Sequence, residues 1–258
     1  MSIEFPEFNT IESPKTEAEF LERGEIESID NLAGHAPVKV VKINNYGVAL
    51  FKPADIKYPD PDFKDKEVFR GELEFLAFSI DRVLGFNLVP ASAKRKLIDH
   101  DGILQRFIPK TEAVIAASLD FWSHHVDELE IKKAAIFDYI TDAKDRCTPN
   151  FLVDQERKKI WLIDHDFYMF LGTDPMISPV SLIVDRARRL SNQDIPEELV
   201  GAVSNLIDKI DQISDNIQQE QIKLWLAETK KRAETLVKKR RMPTRVAERS
   251  SHDGNNNF

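Results

Sequence analysis

The chain has 258 residues, with 36 Lys+Arg against 44 Asp+Glu for a formal charge of −8, 42% hydrophobic residues and one cysteine, Cys147. A chain this long can bury roughly 70% of its unfolded surface, so it can hold a full core as one large domain or two small lobes. The single cysteine excludes an internal disulfide and any multi-cysteine zinc site and suits a reducing compartment. No apolar run approaches the roughly 18 residues of a membrane span, and the N-terminus MSIEFPEFNTIE carries acidic residues where an export signal carries basic ones. The expectation is a soluble, cytoplasmic protein whose negative charge makes nucleic-acid binding unlikely on physical grounds.

Charge is segregated along the chain. Residues 1–34 hold nine acidic and two basic side chains, and 1–24 read as a solvated acidic segment. VKVVKI (38–43), the turn 44–47 with Asn44, Asn45 and Gly47, and VALFKP (48–53) predict a hairpin. Phe69, Leu73, Leu76, Ala77, Ile80, Val83 and Leu84 recur at three- and four-residue spacings and predict an amphipathic helix over 67–85, ending near Gly85. KLIDHDGILQRFIPK predicts two short strands turning around Asp101-Gly102. Residues 25–110 thus read as a small sheet with one helix. From about 113 the pattern is mainly helical, with a hairpin over 151–164 (FLVDQERKKIWLID) and two periodic helices, around 203–217 and 222–236. The fold class expected is α+β, a small β-rich N-lobe (25–110) before a larger, mainly helical C-lobe (111–242). The final residues, 243–258, read as a disordered tail. The run Lys238 to Arg241 reads as part of a solvated segment, with an anionic partner as the rarer alternative.

Three constellations could carry chemistry. Lys52 ends a strand, and a lysine directed inward needs a carboxylate from the next helix; Glu67, Glu72 and Glu74 are the candidates. Paired so, its ammonium can hold phosphate oxygens. Asp145 and Asn150 stand five apart in the polar loop DRCTPN, a spacing at which an Asp can orient an attacking hydroxyl while the Asn ligates a metal. The third is Asp164-His165-Asp166, at the end of the second hairpin strand. Antiparallel pairing sets Asn150 beside Asp164, an amide oxygen and a carboxylate suited to Mg²⁺. His165 with Asp164 and Asp166 could instead suggest a transition metal, although no second His lies at ligand spacing. His124-His125 reads as a helix-surface pair.

In this order, Lys52, a helix acid, DRxxxN and an Asp after a short hairpin follow a kinase layout. EFLAFSIDRVLGFNLVP (74–90) resembles the secretory-pathway casein kinases, and the layout also resembles HipA-type bacterial kinases and type II phosphatidylinositol kinases. The resemblance spans roughly residues 38–170. It implies a two-lobed kinase-like fold that binds ATP with Mg²⁺, or Mn²⁺ in its place. Lys52 would contact the nucleotide phosphates and pair with Glu74, with Glu72 as the fallback. Asp145 would be catalytic, and Asn150 and Asp164 would hold the metal. Gln105, Arg106, Phe107 and Ile108 fall where the hinge binds adenine through its backbone, and Gly34, in 31–37, falls where a loop covers the phosphates. That loop has one glycine, and Asp166 stands where related sequences usually carry glycine. The implied activity moves the γ-phosphate of ATP to a hydroxyl, favouring a protein Ser/Thr. The alternatives are a pseudokinase that acts through a partner protein, a lipid or small-molecule kinase, and an AMP transferase.

Overall fold

The computed structural model describes residues 16–32, 38–54, 70–108, 112–113, 126–143, 145–146, 150–154, 156–165, 180–215 and 217–243. Five strands form an antiparallel sheet: β1 (Ile26–Asn31), β2 (Lys39–Ile43), β3 (Gly47–Pro53), β4 (Ser92–Leu97) and β5 (His100–Arg106), in the order β1-β2-β3-β5-β4. The β2–β3 turn has the conformation its residues suggest, with Asn45 and Gly47 at positive φ. The β4–β5 turn departs from expectation. It falls at Ile98-Asp99, both left-handed at φ 49° and 66°, whereas Asp101-Gly102 lies inside β5. Gly102 is needed there because a Cβ would stand 2.6 Å from both the Lys52 carbonyl oxygen and the Phe51 ring.

A helix covers each face of this sheet. Adjacent strand residues point to opposite faces, and α2 (Arg70–Leu84) bonds Lys94 and Gln105 through Glu72 and Glu74, while their neighbours Arg95 and Arg106 reach Leu21 and Glu17 of α1 (Glu17–Arg23). Residues 17–23, expected to be solvated, therefore pack as a helix with Leu21 fully buried. Its start is a capping box: the Glu19 N–H donates to Thr16 Oγ1 at 3.2 Å, and the Thr16 N–H donates to Glu19 Oε2 at 3.0 Å.

The C-terminal half is built on α3 (Glu128–Thr141), a helix buried over most of its length from Ile131 on, with the polar side chains of Lys132, Asp138 and Thr141 among the buried ones. The α4 (Leu182–Ala187), α5 (Glu197–Ser214) and α6 (Glu220–Lys239) helices follow. The Trp225 indole N–H donates to the Thr141 carbonyl at 3.0 Å and Arg232 Nε to Ile140 at 2.8 Å, so α6 satisfies carbonyls at the end of α3. Two short hydrogen-bonded groupings complete it: β7 (Asp145–Arg146) pairs parallel with β10 (Val180–Ser181), and β6 (Glu112–Ala113) joins the hairpin of β8 (Phe151–Asp154) and β9 (Lys159–Leu162). The basic run is partly structural: the Arg240 side chain pairs with Glu197, the backbone at Arg241 forms an antiparallel β-bridge with that at Asp194, and Met242 is buried.

The end of α2 is tied to the helical half. Helix α2 stops at Gly85, which takes the left-handed conformation at φ 69°. Asn205 of α5 donates to the Val83 carbonyl at 2.8 Å, and Leu162 of β9 donates to Leu88 at 2.9 Å. The buried Asp81 accepts from the Val89 N–H at 3.0 Å, closing the turn after the helix. Burial pushes its carboxyl up to about 6 against those backbone N–H groups and Lys159. A carboxyl raised above its unfolded value stabilises fully below about pH 4, and that contribution is lost as pH rises through about 6. Asp81→Asn keeps an acceptor for Val89 and is expected to stabilise the protein by about 2 kcal/mol at neutral pH, with no gain near pH 4, in urea unfolding. An equal change at both pH values would refute that origin.

Candidate active site

Glu74 lies one turn into α2 and is 1% exposed. A buried carboxylate costs several kcal/mol unless it is paired and hydrogen-bonded, and four donors meet its two oxygens. Lys52, at the end of β3, forms an ion pair with Oε1. The His165 backbone N–H donates to Oε1 at 3.1 Å, and His165 Nδ1 faces Oε2 at 3.0 Å. Gln105 Nε2 lies 3.3 Å from Oε2 and the same distance from Ser92 Oγ. Burial alone would raise the Glu74 carboxyl; Lys52 and His165 together outweigh it and hold the group well below the usual carboxylate range. Burial pushes the His165 ring down to about 4 despite Glu74, so the imidazole is neutral at pH 7. Glu72 pairs instead with Lys94, at 2.6 Å.

Asp164 is placed by its neighbours. Its carboxylate is half exposed, with Oδ1 3.5 Å from Lys52 Nζ, and its backbone is left-handed at φ 59°. That conformation is uncommon outside glycine, although Asp tolerates it better than most residues. Both flanking residues are pinned. The Ile163 N–H donates to the Asn150 carbonyl at 3.1 Å, and the Ile163 carbonyl accepts from Arg146 at 2.8 Å, while His165 is held by Glu74.

Arg146 is 1% exposed and forms the second hub. One end of the guanidinium donates to Asp138 of α3 at 3.1 Å, and the other donates to the Asn150 and Ile163 carbonyls at 2.6 and 2.8 Å. Asp138 also accepts from Ser181 at 2.8 Å, and the same Ser181 hydroxyl accepts from the Val184 N–H at the start of α4. One side chain thus joins β7, the beginning of β8 and the end of β9. With Phe151 opposite Leu162 in the hairpin, Asn150 and Asp164 come to the same end. Asp145 is placed by its backbone, in β7 opposite Val180.

The remaining sequence-stated residues fall differently. Gln105 is a strand residue, 3% exposed, whose side chain braces Glu74, and Phe107 is 44% exposed with its N–H donated to Val48 at 3.2 Å. The expectation that hinge contacts run through the backbone of Gln105 and Phe107 thus meets a sheet that already uses the Phe107 N–H. Ile108 is buried behind it. Gly34, Glu67, Asp166, His124-His125 and the tail beyond 243 lie outside the described residues. His165, weighed as a transition-metal ligand, is fully buried with Nδ1 turned to Glu74, and among the described residues no group of three or more His, Cys, Asp or Glu could hold a metal. No helix among them is long and apolar enough to cross a membrane.

Comparison with solved structures sets this geometry in a known architecture. The Golgi casein kinase with Mn/ADP bound aligns at a TM-score of 0.52 with 16% identity, covering 86% of this chain and 74% of that one. This chain has an atypical kinase-like fold. A second structure of the Golgi casein kinase aligns at 0.53 with 15% identity and the same coverage. The Helicobacter pylori proinflammatory kinase CtkA aligns at 0.48 with 13% identity, over 83% of this chain and 94% of that one. No family model matches the sequence, and no curated protein matches it. In the kinase-like fold the two halves are its lobes: the five-stranded sheet with α1 and α2 is the N-lobe, and the helices with the β8–β9 hairpin are the C-lobe.

Residue patterns alone do not join Arg146 or Gln105 to this network. A signal for Arg146 is present, an arginine beside Asp145 five residues past the end of α3, but its partner Asp138 reads as an ordinary helix acid. Arg146→Ala strands the fully buried Asp138 and is expected to cost about 3–5 kcal/mol in chemical unfolding. Removing the exposed Arg188–Asp185 pair by Arg188→Ala is expected to cost under about 1 kcal/mol.

Proposed function

We propose that this protein is an ATP-dependent kinase that transfers the γ-phosphate of Mg-ATP to a hydroxyl, with a protein Ser/Thr as the favoured acceptor. The observation that carries the reading is the placement of Lys52, an ammonium 19% exposed between buried Glu74 and half-exposed Asp164 at the lobe junction. A fixed cation facing solvent on one side and braced by a buried carboxylate on the other suits the phosphate oxygens of a nucleotide. Asp164 and Asn150 offer hard oxygen donors at one end of the hairpin, which fits a magnesium ion and would suit manganese also. That ion, when bound, would neutralise charge on the β- and γ-phosphates. The Golgi casein kinase structure with Mn/ADP bound supports a nucleotide and a divalent metal on this fold.

In this reading the acceptor oxygen attacks the γ-phosphorus, the bond to the β–γ bridging oxygen breaks, and ADP leaves. Asp145 orients the hydroxyl and takes its proton. Lys52 stabilises the charge spread over the phosphoryl oxygens, and the pins on either side of Asp164 preset its carboxylate before substrate arrives. The acceptor is favoured as protein over lipid because the sequence carries no run of acylation cysteines; its one cysteine also suits a reducing, cytoplasmic setting. A second reading, a nucleotide-binding pseudokinase, is favoured by the single glycine of the 31–37 segment.

Incubation with γ-labelled and α-labelled ATP separates the outcomes. Phosphotransfer leaves γ-label on the acceptor or on the protein itself, AMP transfer leaves α-label, and a pseudokinase leaves neither while ATP with Mg²⁺ still raises the melting temperature. Asp145→Ala is expected to reduce γ-label incorporation by at least about a hundredfold with nucleotide binding intact. Asp164→Ala is expected to abolish the metal-dependent part of that thermal shift. Full transfer by Asp145→Ala would reject the catalytic assignment.

A further inference from the structure

The phosphoryl-transfer reading leaves His165 without a task. Its side chain is fully buried, so it meets neither nucleotide nor a metal from solvent. The ring packs edge-on against Phe137 of α3, with centroids 5.9 Å apart and planes at 76°, which fixes its orientation. From that position it offers two N–H groups to one carboxylate, the backbone N–H to Glu74 Oε1 at 3.1 Å and Nδ1 to Oε2 at 3.0 Å. A carboxylate paired with an ammonium only accepts, so Nδ1 must carry the proton, leaving the ring in its Nδ1–H tautomer.

We propose that His165 is a positioning residue that holds the Glu74 carboxylate in the one orientation that places the Lys52 ammonium for nucleotide phosphates. A glutamate side chain has three rotatable bonds, and its other partners, Lys52 and Gln105, both come from the sheet. Two donors from one residue of the hairpin end fix both oxygens at once and tie the helix of the sheet lobe to the residue following Asp164. A side chain without a donor at Nδ1 leaves Oε2 with Gln105 at 3.3 Å, a long contact, and frees the carboxylate to turn. The proposal rests on the reading of this site as an ATP site.

Two measurements on the full chain test it. Nitrogen-15 NMR of the protein labelled at its six histidines is expected to show one buried ring protonated at Nδ1, whose signal disappears in His165→Asn and shifts in Glu74→Gln. His165→Phe keeps ring volume and the contact with Phe137 but has no side-chain donor; His165→Asn can present an amide N–H near the Nδ1 position. Titration with Mg-ATP, followed by thermal shift, is expected to show affinity about tenfold weaker in His165→Phe and within about threefold of wild type in His165→Asn. A purely structural role would lower the melting temperature of the unliganded Phe variant and leave its affinity unchanged, and that result overturns the proposal. An Nε2-protonated ring at His165 overturns it as well. Absence of any Mg-ATP shift in the wild type rejects the ATP-site reading and the positioning role with it, an outcome distinct from wild-type binding that the Phe variant shares.

Discussion

A carboxylate at 1% exposure in the interior of a two-lobed protein is a demand that the rest of the chain has to meet. Glu74 meets it by drawing partners from strand β3, from strand β5 and from the end of the β8–β9 hairpin, elements far apart in sequence. Each partner offsets part of the desolvation cost, and none is sufficient alone. The result is that the position of α2, the register of the sheet and the end of the hairpin are specified jointly. A shift of β5 by one residue would turn Gln105 to the other face and take its amide away from Glu74.

The second hub has the same character. Arg146 has five donors in a rigid fork, and its partners include one carboxylate and two backbone carbonyls. Lysine could not span them, because its three donors radiate from one point. The two hubs meet at residues 163–165: Arg146 and the Asn150 carbonyl hold Ile163, Glu74 holds His165, and Asp164 between them is presented to Lys52 with a left-handed backbone. Under the proposed kinase reading, such preorganisation would matter because phosphoryl transfer depends on the placement of charge more than on covalent participation.

Periodicity and turn chemistry carried much of this into view before any coordinates. The three- and four-residue spacing over Leu73, Leu76, Ala77, Ile80 and Leu84 is a buried helical face, and the Asn/Gly turn at 44–47 joins a true hairpin. Other features were hidden for physical reasons. Asp101-Gly102 has the composition of a turn, but Gly102 serves a close crossing of Phe51, and the turn fell on Ile98-Asp99, where a β-branched residue takes a conformation it seldom adopts. Net charge hides helix α1, whose capping signal Thr16-x-x-Glu19 lies within the acidic run. At the site, residue types narrowed the partner of Lys52 to three acids. Choosing among them needed the rotation of α2, which depends on contacts distant in sequence. The Glu74–His165 contact joins residues 91 apart, a separation no local pattern encodes.

Helix α1 also bears on where the folded unit starts. Its Leu21 belongs to the same apolar cluster as Val41, Ile43, Ala49 and Phe51, Phe20 stacks on Tyr46 at 5.7 Å, and Arg95 and Arg106 reach up to it from the sheet. A fragment cut at residue 25 would keep Lys52, Glu74, Arg146 and Asp164 and still be a poor reagent. One side of the five-stranded sheet would expose Val41, Ile43, Ala49 and Phe51, an apolar surface of the sort that drives self-association, and would leave Arg95 and Arg106 without Leu21 and Glu17. The acidic stretch that looks dispensable in the sequence is, from Thr16 onward, the cover over one apolar face of the small lobe.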